Sequence, residues 1–422
     1  MNSKERMEIM KKRLFVILFT IMLVVTACTS KINSEDLMKD ISSNDVPEGP
    51  CPGVVSGSDV SDFAVRLLHT MDAGEENTLI SPISILCAMG MAANGADEET
   101  LEQMEAVLGV STQMLNNYIY GYRKVLPQSE HCKVYLANSI WVKQEPNFEV
   151  KTTFLQLNAD YYGADMYQTP FDDSTVKDIN NWVKKETNGM IPEILDEISK
   201  EAVMYLVNAL AFEAEWGEVY KKSQVRNDIF TTENGTEQTV EFMYSNEGRY
   251  FENKNAKGFL KYYKDSNYAF VAILPNEDMS VSDYIASLDG EELDALLAGR
   301  QQTSVKTAIP KFETEYGTEL SKVLRQMGMS NAFDEDDSDF SELGTCKDGN
   351  IYMNRVIHKT FISVGEKGTR AGAATAVEMN SKGTAAMVEE KIVYLNRPFV
   401  YMLIDCDTNV PFFIGTMMDV KQ

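Results

Sequence analysis

The chain has 422 residues, 44% of them hydrophobic and 10% aromatic, enough apolar material for a sizeable core and too much for a disordered chain. Its formal net charge is -25 at pH 7. A body this acidic repels polyanions, which disfavours nucleic-acid and phosphate binding and charge-driven binding to an anionic membrane surface.

The N-terminus runs against that trend. Lys4, Arg6, Lys11, Lys12 and Arg13 face only Glu5 and Glu8, a local +3 that leaves the remainder near -28. Lys11-Lys12-Arg13 precede an apolar run, Leu14 to Val25, which is short for a transmembrane helix and suits a signal-peptide core. The run ends in Val25-Thr26-Ala27-Cys28, which resembles the bacterial lipobox, where cleavage before the cysteine frees it to carry lipid. Residues 1–27 are therefore expected to be a lipoprotein signal peptide. Cys28 is expected to be lipidated, exporting the protein and anchoring it to a bacterial membrane at the cell envelope or surface. Cys51, Cys87, Cys132, Cys346 and Cys406 show no CxxC pair and no metal-ligand spacing, so neither a metal site nor a required disulfide is expected. Cys87 and Cys406 lie within apolar runs and read as buried small hydrophobes.

Residues 28–56 are polar and rich in Ser, Asn, Asp and Pro, a composition that reads as a flexible tether. Residues 57–422 read as one globular domain, without internal repeats. Val60 to Met71 has apolar residues at helical spacing. Ser81-Pro82 offers a capping side chain and a first-turn proline for a second helix ending at Asn94-Gly95. A third spans Glu98 to Leu108. Strand patterns follow at 134–142, 202–212, 268–274, 303–310, 359–364, 399–405 and 411–417. Helices followed by long apolar strands indicate an α+β domain with antiparallel sheets.

Four stretches carry a family likeness. They are Asn77-Thr78-Leu79-Ile80-Ser81-Pro82-Ile83-Ser84-Ile85; Asn180-Asn181-Trp182-Val183 with Thr187-Asn188-Gly189-Met190-Ile191; Leu206 to Trp216; and His358-Lys359-Thr360-Phe361-Ile362 through Gly365-Glu366-Lys367-Gly368-Thr369, closed by Arg397-Pro398-Phe399. In order and spacing they resemble the landmarks of the serpins, over residues 60 to 420. The resemblance implies a large central, mainly antiparallel sheet, further sheets, eight to nine helices and an exposed reactive loop at about 366–397. It also implies a polar cluster of Ser81, Ser84, Asn208 and His358 under the sheet's opening, with Trp216 at its top. None of these is expected to be catalytic, and no cofactor is implied.

Read on its own, the loop has a strand's alternation. Thr369, Ala371, Ala373, Thr375, Val377, Met379 and Ser381 are uncharged, while every charge falls among Arg370, Gly372, Ala374, Ala376, Glu378, Asn380 and Lys382. Fully extended, Gly368 to Lys382 would reach roughly 50 Å. By the resemblance, Glu366, Gly368, Thr369, Ala371, Ala373 and Thr375 form the hinge. The bait is Lys382, with cleavage before Gly383, and Met379, Thr384 and Met387 are alternatives. A lysine bait implies a trypsin-like serine endopeptidase as target, the 384–387 stretch an elastase- or subtilisin-like one, and a cysteine endopeptidase stays open. Arg370 departs from the acidic residue many relatives carry there, and Pro398 lies farther from the hinge than is usual. A monomer is expected. The competing class is a non-inhibitory serpin acting as a binding or chaperone-like module, which a proline or charge on the hinge's inward face would favour; none is present. A hydrolase is a poor fit: there are three histidines, no GxSxG elbow, and Asp334-Glu335-Asp336-Asp337 lacks EF-hand spacing.

Overall fold

The computed structural model describes residues 31–46, 55–71, 74, 76–264, 267–347, 349–369 and 390–420. Residues from Asn33 onward form one compact unit.

The described helices are α1 (Gly57–Met71), α2 (Pro82–Ala93), α3 (Glu98–Leu108), α4 (Thr112–Val125), α5 (Thr152–Tyr162), α6 (Asp173–Glu186), α7 (Val281–Ala286), α8 (Gly290–Ala298) and α9 (Ser321–Met327). The early strands are β1 (Glu35–Asp36), β2 (Thr78–Ile80), β3 (Cys132–Lys143), β4 (Phe148–Val150), β5 (Asp165–Thr169) and β6 (Met204–Glu215). The middle of the chain supplies β7 (Val225–Thr231), β8 (Glu237–Glu247), β9 (Arg249–Glu252), β10 (Ala256–Tyr262), β11 (Tyr268–Pro275), β12 (Val305–Pro310) and β13 (Phe312–Glu319). The last are β14 (Gly344–Cys346), β15 (Arg355–Gly365), β16 (Gly368–Thr369), β17 (Lys391–Tyr394), β18 (Phe399–Asp405) and β19 (Pro411–Met417).

The largest sheet has the order β1-β5-β3-β6-β16-β15-β13. Its pairings are antiparallel except β3 with β5 and β6 with β15. A six-stranded sheet, β2-β19-β18-β11-β10-β9, and a four-stranded sheet, β17-β12-β8-β7, complete the frame with the β14-β4 pair. Strands β11, β18 and β19 are buried almost throughout, which explains their unbroken apolar runs in place of alternation. Helix α2 packs against β3, β6 and β19, between the two larger sheets. All its residues are buried, as an all-round apolar helix must be. Ser81 caps it by accepting the Ser84 N–H, and Pro82 occupies the first turn, where its missing N–H costs nothing.

Part of the stretch that reads as a tether is seated on this frame. Asn33 and Ser34 donate their backbone N–H groups to the buried Asp178 carboxylate at 2.9 and 2.7 Å, and Ser34 Oγ adds a third bond at 2.7 Å. Strand β1 then extends the sheet beside β5, and Leu37, Met38 and Ile41 pack on the core. Asn44 N–H reaches Asp160, and Val46 N–H reaches the Tyr120 hydroxyl. Composition hid this because a few apolar side chains and an edge ladder are enough to seat a polar strap. Asp178→Ala is expected to loosen it and cost about 2 kcal/mol, since bonds to a charged acceptor are the stronger kind. Thermal unfolding checks this; an unchanged midpoint contradicts it.

Cys87 and Cys132 are buried and Cys346 and Cys406 partly so. Burial pushes both the Cys87 and the Cys406 thiol up to about 12, although Cys406 is less enclosed than its apolar surroundings in sequence imply. The acidic run is a turn in which the Asp334 carboxylate accepts the N–H groups of Asp336 and Asp337. Among the described residues no helix is long and apolar enough to cross a membrane, and no cluster of three metal-ligating side chains occurs.

Candidate functional site: the opening in the central sheet

Strands β6 and β15 run parallel and pair from Tyr205 with Arg355 to Ala211 with Phe361. Beyond that point they part, and the start of the gap holds β16. Gly368 pairs with Glu215 on one side and Gly365 on the other; Thr369 pairs likewise with Ala214 and Val364. The fit is tight. Gly368 has φ +154°, and a Cβ there would lie 2.0 Å from the Ala214 carbonyl oxygen, so only glycine passes between the strands. Thr369 is fully buried, and its hydroxyl lies 2.5 Å from that of Tyr263.

The turn joining β15 to β16 is gripped from three sides. Trp216 donates its indole N–H to Gly365 O at 2.8 Å and its backbone N–H to Lys367 O at 2.9 Å. Tyr220 N–H donates to Glu366 O at 2.9 Å. The Lys311 ammonium lies 3.0 Å from the Glu366 carboxylate and 2.8 Å from that of Glu241. Partial burial works against ionisation of Glu366, but Lys311 outweighs it and holds the carboxyl below the usual carboxylate range. Trp216 stacks on Tyr263 with ring centres 4.5 Å apart, forming the wall behind Thr369.

Lower in the sheet, one polar row crosses three strands. Asn208 of β6 stands in register with Asn138 of β3 and His358 of β15. Its Nδ2 donates to Asn138 Oδ1 and to the Ser84 carbonyl, each at 2.6 Å. Its Oδ1 accepts from Ser84 Oγ at 2.6 Å and meets His358 Nδ1 at 2.7 Å. Ser81 N–H donates to His358 Nε2 at 3.1 Å, so the network assigns the imidazole proton to Nδ1. Burial drives His358 down to about 3. An unfolded imidazole titrates near 6.5, so between these values the unfolded chain alone binds the proton. The stability this neutral side chain carries is therefore intact above about pH 6.5 and lost as pH falls toward 3, at about 1.4 kcal/mol per pH unit. His358→Gln should flatten the fall in unfolding midpoint between pH 7 and 5; an unchanged slope would show that His358 does not set it.

Helix α6 packs against β3, with the Trp182 indole donating to Asp165 at 2.7 Å. After it, Asn188 and Gly189 are both left-handed, turning the chain back along the sheet. The segment that follows hangs on Asn180, which accepts the N–H groups of Ile194 and Leu195, and on Lys359 of β15, which donates to Glu193 O at 2.7 Å. These bonds tie the segment after α6 both to that helix and to β15, one of the two strands that border the opening.

A chain with parted central strands, a wedged hinge and a buried polar row can be set against known proteins. The family model for serpins (serine protease inhibitors) matches residues 58–420. The chain belongs to the serpin family. A serpin-like protein of Thermococcus kodakarensis is 30% identical over 371 residues, covering 86% of this chain and 85% of its own. Human serpin B8 is 29% identical over 371 residues, with 84% and 96% covered. The thermophilic serpin tengpin in its native state is 47% identical, with a TM-score of 0.87 over 92% of this chain and 100% of that one. Tengpin in its latent state scores 0.76 at 46% identity, covering 90% and 100%.

In this serpin the structure brings Ser81, Ser84, Asn208 and His358 into one network and places Trp216, Glu366, Gly368 and Thr369 together at the top of the sheet. Ala371, Ala373, Thr375, Met379, Lys382, Gly383, Thr384 and Met387 lie outside the described residues, as does Cys28. Sequence reasoning missed Asn138, Tyr220, Tyr263 and Lys311. Asn138 could have been found as the lone amide inside an apolar strand; the others carry no local signal.

Proposed function

We propose that this serpin is a suicide-substrate inhibitor of serine endopeptidases, of trypsin-like specificity through Lys382. The observation that carries the reading is the two-residue strand Gly368–Thr369, held in register at the entrance between β6 and β15. Continuing that register downward, Ala371 would meet Phe212 and Ile362, and Ala373 would meet Leu210 and Thr360. Thr375 would arrive between Asn208 and His358. Thr369 already points inward, so this register turns the uncharged odd-numbered residues to the core and Arg370, Glu378 and Lys382 to solvent.

The chemistry belongs to the protease. Its nucleophile attacks the Lys382 carbonyl, the bond to Gly383 breaks, and the freed amine leaves with a proton, so an ester joins the two proteins. The cut loop is then free at one end and enters the sheet, replacing the β6–β15 ladder by two ladders of its own. The linked protease is carried along and its site distorted before water completes hydrolysis. We further propose that Cys28 carries lipid and that the domain acts at a bacterial membrane surface. Cys28→Ser should then release the protein from the membrane fraction.

The test is to mix the full chain with trypsin, an elastase and a subtilisin and resolve the products on denaturing gels. A boiling-resistant band at the summed mass with trypsin, absent in Lys382→Ala, is expected. Clean cleavage without that band for all three enzymes would favour a non-inhibitory, substrate-like serpin.

A further inference from the structure

Lys261 is an anomaly in β10. The strand around it is apolar, yet this lysine side chain is only 2% exposed. Its ammonium lies 2.8 Å from a carboxylate oxygen of Glu247, at the end of β8, whose side chain is 13% exposed. It also sits 4.5 Å from the ring centre of Tyr220 and 5.4 Å from that of Trp216, within range of cation–π attraction. The same Glu247 oxygen accepts the Ser245 hydroxyl at 2.6 Å, and Ser245 Oγ also lies 3.2 Å from the Tyr220 hydroxyl. Ser245 Oγ also lies 2.9 Å from Thr307 Oγ1 on β12.

The two rings against this ammonium belong to the residues that hold the hinge. Trp216 binds Gly365 O and Lys367 O, and Tyr220 binds Glu366 O. A buried ion pair seldom stabilises a fold more than apolar residues of the same volume do, because desolvation offsets the attraction. Its directional bonds are better suited to setting one pose. Here they tie the six-stranded sheet, through β10, to the four-stranded sheet, through β8, at the level of the hinge.

We propose that Lys261, locked by Glu247, is a positioning residue: it holds Trp216 and Tyr220 in the poses that grip Gly365–Lys367, and so sets how often an attacked molecule traps its protease instead of being released cut. The second half of this rests on the inhibitory reading; the grip does not. Lys261→Met and Glu247→Gln, made in the full chain, are expected to speed hydrogen exchange at the Trp216 and Tyr220 amides about ten-fold. Amides of β18 and β19 should be unaffected, which separates positioning from general loosening. The number of inhibitor molecules consumed per trypsin inactivated should rise several-fold, and Lys261→Arg should restore both readouts. If wild type traps no protease, the inhibitory reading fails and exchange alone decides the grip. Should Lys261→Met fail to fold, Glu247→Gln, which keeps the side-chain shape, decides it. Unchanged exchange in folded variants, or an arginine variant as defective as the methionine one, overturns the proposal.

Discussion

Thr369→Arg is expected to leave cleavage of the loop intact while covalent trapping falls about ten-fold or more. Thr369 is fully buried between Ala214 and Val364 and bonded to Tyr263, with the Trp216 ring stacked behind. A guanidinium there would be buried against Tyr263 and the Trp216 ring behind it, and burying an unpaired charge costs several kcal/mol. Each 1.4 kcal/mol on the barrier to strand entry slows it ten-fold, and every delay favours hydrolysis of the ester. Thr369→Ser keeps the hydroxyl and should behave as wild type. The ratio of trapped to cleaved inhibitor, read from denaturing gels, is the measurement; unchanged trapping in the arginine variant would show that strand insertion does not depend on the uncharged side chain seated at position 369.

Asn208→Ala should be the most damaging single change in the polar row. The Asn208 amide makes four bonds, to Ser84 Oγ, the Ser84 carbonyl, Asn138 and His358, and each partner is buried. Truncation strands all four, at 1–3 kcal/mol for each one left unmade, and partial rearrangement brings the expected loss to about 4 kcal/mol. The same row joins β3, β6 and β15, so the variant should also open between β6 and β15 more readily. Chemical unfolding reads the first effect, and exchange at the Ile357 amide the second. A loss under about 1 kcal/mol would mean that water can replace the network.

The elements legible in sequence were those whose pattern is local. Helix α3 begins and ends at Glu98 and Leu108 as its periodicity predicts, and β18 and β19 match their apolar runs residue for residue. Helix α4 escaped notice because Asn116 and Asn117 interrupt its apolar face, although Ser111 caps it. The strap at 33–46 was hidden because what holds it is distant: Asp178 and β5 lie more than a hundred residues away in sequence. The site divides in the same way. Ser81, Ser84, Asn208, His358 and the hinge stood out through family likeness and through the loop's alternation, a property of the chain itself. Lys261, Glu247, Tyr220 and Lys311 did not, since an isolated lysine in a strand gives no hint of which carboxylate or ring it will meet.

Thermal unfolding of the full chain after a single cut within residues 370–389 tests the claim of strand insertion most directly. If the freed loop enters between β6 and β15, it adds two backbone ladders and buries its uncharged face, and the midpoint should rise by roughly ten degrees or more. A midpoint equal to or below that of the uncut protein would contradict insertion, and with it the trapping mechanism.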